Sequence, residues 1–139
     1  VLPERADHLP HGTETVLVVE DEPAVRALTV RTLKALGYTV HAAEDPASAL
    51  ELARDARVQV VLTDIVMPQM SGPDLVARLV QRRPAPAVVY MTGYADDALQ
   101  AFAMDSAATL LRKPFTPSVL ARAIRDALDA PRTPHGTTA

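Results

Sequence analysis

The chain has 139 residues, a formal net charge of −3 and no cysteine. This length fits one domain, and the lack of cysteine excludes disulfides, thiolate metal sites and cysteine nucleophiles. The mild negative charge does not favour a nucleic-acid-binding surface, and no apolar run approaches the roughly 20 residues of a membrane span. Because 48% of residues are hydrophobic and only 4% aromatic, we predict an aliphatic core. With neither a membrane span nor a signal peptide in the sequence, we expect the protein in the cytoplasm.

Short β-branched runs alternate along the chain with longer runs of helical periodicity. The predicted strands cover residues 16–19, 38–42, 58–63, 87–91 and 107–111. The intervening helical patterns run through residues 25–36, 47–53, 75–80, 98–104 and 119–128. Five such units predict a parallel sheet with right-handed crossovers and helices on both faces, an α/β fold whose strand order the pattern leaves open.

Local signals mark where the helices begin and end. Prolines occupy the predicted first helical positions, where a missing N–H has no cost: Pro23, Pro46, Pro73 and Pro117. Asp45 and Thr116 are predicted N-caps, and Gly37 stands where a helix C′ residue belongs. Residues 1–13 lack a starting Met and the apolar core of a signal peptide, so we expect a linker there. We expect a folded domain at 14–129 and a disordered tail at 130–139.

Polar residues follow four of the predicted strands. Glu20 and Asp21 follow the first strand, Asp64 the third, Thr92 the fourth and Lys113 the fifth. Because ligand sites of parallel α/β sheets gather at the carboxyl ends of the strands, we expect these side chains to share one cleft. Each residue alone is better explained by turn or loop chemistry, but the four positions together favour a site.

The chemistry of these residues suits phosphoryl transfer. Three carboxylates in one cleft would repel each other, and a hard cation such as Mg²⁺ would relieve that repulsion. Asp64 could then act as a nucleophile toward phosphorus. Lys113, and the Thr92 hydroxyl or a nearby backbone N–H, would neutralise further phosphoryl oxygens.

Four motifs of this chain resemble those of the receiver domain of two-component response regulators. They are Val16-Leu-Val-Val-Glu-Asp-Glu-Pro23, Leu62-Thr-Asp-Ile-Val-Met-Pro-Gln-Met-Ser-Gly72, Met91-Thr-Gly-Tyr94 and Leu111-Arg-Lys-Pro-Phe115. The resemblance covers about residues 14–129. It implies a flavodoxin-like, doubly wound (βα)5 three-layer sandwich with a parallel sheet of order 2-1-3-4-5.

The resemblance also implies a role for each strand-end residue. Asp64 matches the phosphoacceptor, which takes a phosphoryl group from a phosphohistidine in a Mg²⁺-dependent reaction. Glu20, Asp21, Asp64 and the backbone carbonyl of Val66 match the metal ligands. Thr92 matches the hydroxyl residue that reorients toward the phosphoryl group, and Lys113 matches the lysine that pairs with it.

Further expectations follow from the same resemblance. The Lys113–Pro114 bond is expected to be cis. Leu110 stands where the family often has Phe or Tyr, which leaves the usual aromatic readout of the signal open. Val66 and Tyr94 are expected to flank the site. Because one is apolar and the other bulky, we expect no strong assistance to hydrolysis of the acyl phosphate.

The expected partner is a histidine kinase or a histidine phosphotransfer domain, with no contact to nucleic acid or membrane. The sequence of residues 12–19 resembles the start of receiver domains that lie at the C-terminus of hybrid sensor histidine kinases. A free single-domain regulator is the next alternative. A weak homodimer is compatible with the sequence, although no feature demands it. The protein would catalyse only its own aspartyl phosphorylation and dephosphorylation, and so would not be an enzyme with an external substrate.

Two other functions compete with this interpretation. A phosphohydrolase similar to haloacid dehalogenases would have Asp-x-Asp after the first strand. Here the candidate nucleophile, Asp64, follows the third strand, and no second Asp lies two residues after it. A degenerate receiver that serves only for docking would not need the complete set of acids, hydroxyl and lysine.

Overall fold

A computed structural model describes residues 9–82, 84–93 and 109–130. The strands are β1 (Thr15–Val19), β2 (Thr39–Ala43), β3 (Val60–Asp64), β4 (Ala87–Thr92) and β5 (Thr109–Arg112). The helices are α1 (Pro23–Ala35), α2 (Pro46–Asp55), α3 (Gly72–Leu79) and α4 (Pro117–Asp129). The predicted helix at 98–104, Tyr94 and the predicted tail from 131 onward lie outside the described residues.

The five strands form one parallel sheet in the order β2-β1-β3-β4-β5. This order confirms the flavodoxin-like fold that the resemblance implied. The chain leaves β1 for β2 on one side and reaches β3 on the other side of β1, which creates the switch point where such sheets bind ligands. Val19 of β1 lies opposite Thr63 of β3, so the ends of these two strands are neighbours.

The helix starts follow from local hydrogen bonding. Helices α1, α2 and α4 begin at the predicted prolines. The Asp45 carboxylate accepts a hydrogen bond from the Ser48 N–H at 2.8 Å, and the Thr116 hydroxyl oxygen accepts one from the Val119 N–H at 3.2 Å, which confirms both predicted caps. Gly37 has a φ of +103°, the left-handed conformation expected just after a helix.

Helix α3 begins one residue earlier than predicted. Its first residue is Gly72, so Pro73 occupies the second helical position. The reason is Ser71, whose hydroxyl oxygen accepts a hydrogen bond from the Asp74 N–H at 3.1 Å and so caps the helix.

Two aliphatic clusters cover the two faces of the sheet. One face packs Val16, Val18 and Leu62 against α1 and α4, and the other packs Leu17 and Val61 against α2 and α3. Alternate strand residues point to opposite faces, so β1 is buried on both sides, as its continuous apolar run predicted. Within the described ranges, no helix has the length and apolar character needed to cross a membrane.

The described part of the N-terminal segment contacts the domain. Leu9 packs against the core, and the Gly12 N–H donates to the Leu36 carbonyl at 3.1 Å. The Arg125 guanidinium of α4 donates to the His11 carbonyl at 3.3 Å and to both carboxylate oxygens of Glu14, at 3.1 and 2.7 Å. This segment is therefore tied to α4 immediately before it enters β1.

Candidate functional site

The strand-end residues predicted from the sequence meet at one edge of the sheet. Asp64 and Thr92 are the last residues of β3 and β4, both buried, and Lys113 follows β5. Together with Asp21 they line a cavity of about 700 Å³ that opens to solvent. The parallel topology thus brings together groups that are far apart along the chain.

Lys113 bridges two of the acids. Its ammonium Nζ lies 2.7 Å from Asp64 Oδ1 and 2.8 Å from Glu20 Oε2. The Lys113 backbone N–H donates to the Thr92 carbonyl at 2.8 Å, which attaches the end of β5 to the end of β4. The Lys113–Pro114 peptide bond is cis, as expected.

Glu20 is fully buried and is held at several of its polar atoms. Its N–H donates to the Ala43 carbonyl at 3.1 Å, and its own carbonyl accepts from Arg26 Nη1 at 2.8 Å. Its Oε1 accepts from the Glu22 N–H at 3.2 Å. Sequence reasoning missed Arg26, for which the available signal was a basic residue one turn into α1.

The acidic residues are close enough to share a cation. Glu20, Asp21 and Asp64 each offer a carboxylate oxygen, and these oxygens lie within 4.8 Å of one another. Asp21 is exposed at the mouth of the cavity, whereas the other two acids are buried. An all-oxygen donor set with open space beside it fits Mg²⁺, which keeps several water ligands.

Burial and proximity separate the acidities of these groups. Burial, followed by the hydrogen bond with Glu20, raises the pKa of Asp64 to about 8, although Lys113 opposes the shift. Burial also acts to raise the pKa of Glu20, but its hydrogen bonds with Asp64 and Lys113 outweigh this effect and lower it. Burial opposes ionisation of Lys113, yet Asp64 and Glu20 raise its pKa overall. Without a bound metal ion, these shifts favour a proton on Asp64 over one on Glu20.

Two further residues singled out in the sequence are Val66 and Leu110. The side chain of Val66 is exposed and lines the cavity. Leu110 is half-buried and packs against the cluster of Ile65, Val76 and Tyr90. Tyr90 lies directly opposite Leu110 on the neighbouring strand, and burial raises its pKa to about 12. The sequence does not reveal this aromatic neighbour, because the pairing of β4 with β5 is needed to find it.

An open parallel α/β sheet with three carboxylates, a hydroxyl and a lysine at its strand ends defines the class of receiver-type phosphorylation switches. A family model described as the response regulator receiver domain matches residues 16–125. The chain belongs to this family, the receiver domains of two-component signal transduction.

Individual relatives agree with this assignment. The chain is 40% identical over 121 residues to the sensor kinase CckA of Brucella abortus, a match that covers 85% of this chain and 13% of that protein. It is 38% identical to the positive alginate biosynthesis regulatory protein of Pseudomonas aeruginosa, covering 81% of this chain and 46% of that protein. The chain thus spans less than half the length of either of these relatives.

A solved structure has the same fold. The chemotaxis protein CheY4 of Vibrio cholerae superposes with a TM-score of 0.75 at 29% sequence identity, covering 84% of this chain and 100% of that one. The similarity extends over nearly the whole described domain.

Proposed function

We propose that Asp64 is the residue that accepts the phosphoryl group in this receiver domain. The observation that carries the proposal is the 2.7 Å contact between Lys113 Nζ and Asp64 Oδ1, at a cavity where two further carboxylates approach Asp64. Of the three acids, Glu20 is buried away from the cavity and Asp21 is exposed, whereas Asp64 is largely buried and lines the cavity at the end of the central strand β3. The domain would act on itself rather than on an external substrate.

The proposed reaction transfers a phosphoryl group from a phosphohistidine. Mg²⁺, when bound by Glu20, Asp21, Asp64 and the Val66 carbonyl, supplies positive charge that favours ionised carboxylates and offsets charge on a phosphoryl oxygen. A carboxylate oxygen of Asp64 forms the new O–P bond as the P–N bond of the donor breaks and the imidazole leaves with the electron pair.

Lys113 and Thr92 have distinct parts in this proposal. Lys113 already pairs with the Asp64 oxygen, so its ammonium group is placed to neutralise charge on the transferred group. Thr92 ends the neighbouring strand and its hydroxyl would bond to the phosphoryl group. Movement of Thr92 and of its loop would then carry the signal to a partner surface.

The proposed donor is a histidine kinase or a histidine phosphotransfer domain. The match to the CckA sensor kinase supports a place in a hybrid kinase, in agreement with the sequence of residues 12–19. A free single-domain regulator is the alternative.

The test is labelling by acetyl phosphate with Mg²⁺, followed by intact mass. We expect one phosphoryl group on the wild type and none on Asp64→Asn. Asp55→Asn, at the exposed C-terminal end of α2, is the matched control and should label normally. Continuous release of phosphate at many turnovers would instead indicate a hydrolase, and failure to take up label or bind a beryllofluoride mimic would indicate a docking module.

A further inference from the structure

The backbone of Asp64 is confined by contacts that the acidic cluster does not explain. The buried Thr63 hydroxyl donates to the Asp64 carbonyl oxygen at 3.1 Å. On another side of the same oxygen lies Gly72, the first residue of α3. A Cβ added to Gly72 would lie 2.1 Å from that oxygen, which is much shorter than any allowed contact between the two atoms.

The next peptide is held as well. The Ile65 N–H donates to the Met91 carbonyl of β4 at 3.1 Å, and the Ile65 carbonyl accepts from the Gly72 N–H at 2.8 Å. The loop that leaves β3 is therefore fastened to β4 on one side and to the start of α3 on the other. A side chain at position 72 would break this arrangement, because the three atoms nearest to its Cβ are backbone atoms of residues 64 and 65.

Small displacements of this backbone would matter for the chemistry. The Asp64 carboxylate must meet Lys113 on one side and the other acids on the other, and its present separation from Lys113 is 2.7 Å. Misplacement of a reacting group by about 1 Å can slow a reaction on the order of a hundredfold. The direction in which the carboxylate leaves β3 is set by the backbone that carries it.

We propose that Gly72 and Thr63 are positioning residues, which hold the Asp64 carbonyl and thereby aim the Asp64 carboxylate at Lys113. Gly72 does this by the absence of a side chain, and Thr63 by its buried hydroxyl. Neither residue touches the transferred group, and the inference rests on the proposed role of Asp64.

The test compares variants at the start of α3. Gly72→Ala should slow labelling by acetyl phosphate at saturating Mg²⁺ by about tenfold to a hundredfold. Ser71→Ala is the matched control: it removes the cap of the same helix and destabilises it, but leaves the contact with Asp64 untouched. It should label within about twofold of the wild type. Equal slowing in both variants would overturn the role of Gly72, because it would follow from a weakened helix alone, and so would a wild-type rate in Gly72→Ala.

A second pair keeps the inference testable if Gly72→Ala does not fold. Thr63→Val replaces the buried hydroxyl with a methyl group of similar shape. It removes a donor to the Asp64 carbonyl and so lowers stability, but it leaves no cavity in the core. It should slow labelling by about tenfold, while Thr63→Ser, which retains the hydroxyl, should restore the rate. A wild-type rate in Thr63→Val, or equal slowing in Thr63→Ser, would overturn the role of Thr63.

Crystal structures of the variants separate this inference from the proposed function. In Gly72→Ala the distance from Lys113 Nζ to Asp64 Oδ1 should exceed the present 2.7 Å, whereas Ser71→Ala should preserve it. If the wild type accepts no label, the proposed function fails, and the distances alone decide whether the two residues position Asp64. An unchanged distance in Gly72→Ala would overturn the inference even if labelling occurs.

Discussion

Two clusters of charged side chains in this domain shift the pKa values of Asp64 and Glu14 in opposite directions. In the strand-end cluster, formed by Glu20, Asp21, Asp64 and Lys113, burial raises the pKa of Asp64 to about 8. In the Arg125 cluster, formed by Glu14, Arg125 and Asp129, the hydrogen bond from the guanidinium lowers the pKa of Glu14 to about 2.

The difference comes from solvent access and from the balance of charge. Each cluster has a single cation with several acids, but Glu20 is fully buried and the Asp64 side chain is only 8% exposed. Glu14 and Arg125 remain more than a fifth exposed, and Asp129 is 62% exposed. Water stabilises the ionised acids of the Arg125 cluster, so one guanidinium suffices there. The strand-end cluster lacks that help, and a bound cation would offset its excess negative charge.

The comparison predicts that one cluster serves activity and the other serves stability. Lys113→Gln should slow labelling by acetyl phosphate by at least about a hundredfold, because a preorganised cation is lost from the reacting group. The measurement is the rate of mass increase. Arg112→Gln, at the exposed preceding residue, is the control and should label normally. Near-normal labelling of Lys113→Gln would remove the functional distinction between the clusters.

Gly37→Ala should be the most destabilising change near the Arg125 cluster. The left-handed φ of +103° at this position strains any residue with a side chain, and a Cβ would lie 2.5 Å from the Gly12 carbonyl oxygen. We expect a loss of about 2 kcal/mol in the free energy of unfolding, measured by urea denaturation. Labelling of the remaining folded protein should be unchanged. A loss of labelling without a loss of stability would contradict the comparison.

Arg125→Gln should lower stability without affecting the chemistry. It removes the paired contacts to Glu14 and the contacts to Asp129, and it releases the His11 carbonyl. Because the cluster is partly exposed, the expected loss is about 1.5 kcal/mol in the free energy of unfolding. Arg122→Gln, at an exposed position of the same helix, should change stability by less than about 0.5 kcal/mol. Equal effects of the two variants would show that the cluster contributes nothing specific.

The smallest predicted effect is the pH dependence of the Arg125 cluster. The pKa of Glu14 is about 2 in the folded protein and near 4.5 when unperturbed. A lowered folded-state pKa stabilises the protein above the unfolded value, and this stabilisation is lost as pH falls through the folded value. Between about pH 5 and pH 2, the wild type should therefore lose about 1 kcal/mol more than Glu14→Gln, after allowance for screening by water. Parallel pH profiles for the two proteins would rule out this ion pair as their source of acid sensitivity.

The sequence alone predicted the described strands and helices and the residues of the cleft, because short-range signals mark where each element ends and which residue follows it. Prolines, caps such as Asp45 and Thr116, and β-branched runs specify where helices and strands occur. Parallel βα units place every strand end at one edge, so the order of Glu20, Asp64, Thr92 and Lys113 along the chain was enough to predict their cleft.

Only the tertiary structure decided how these groups contact one another. Lys113 meets Glu20 across 93 positions and Arg125 meets Glu14 across 111, distances over which sequence pattern has no periodic signal. Tyr90 becomes the neighbour of Leu110 only when β4 pairs with β5 in this register. The raised pKa of Asp64 likewise depends on burial beside Glu20, and solvent exclusion of that kind arises only when the whole fold is assembled.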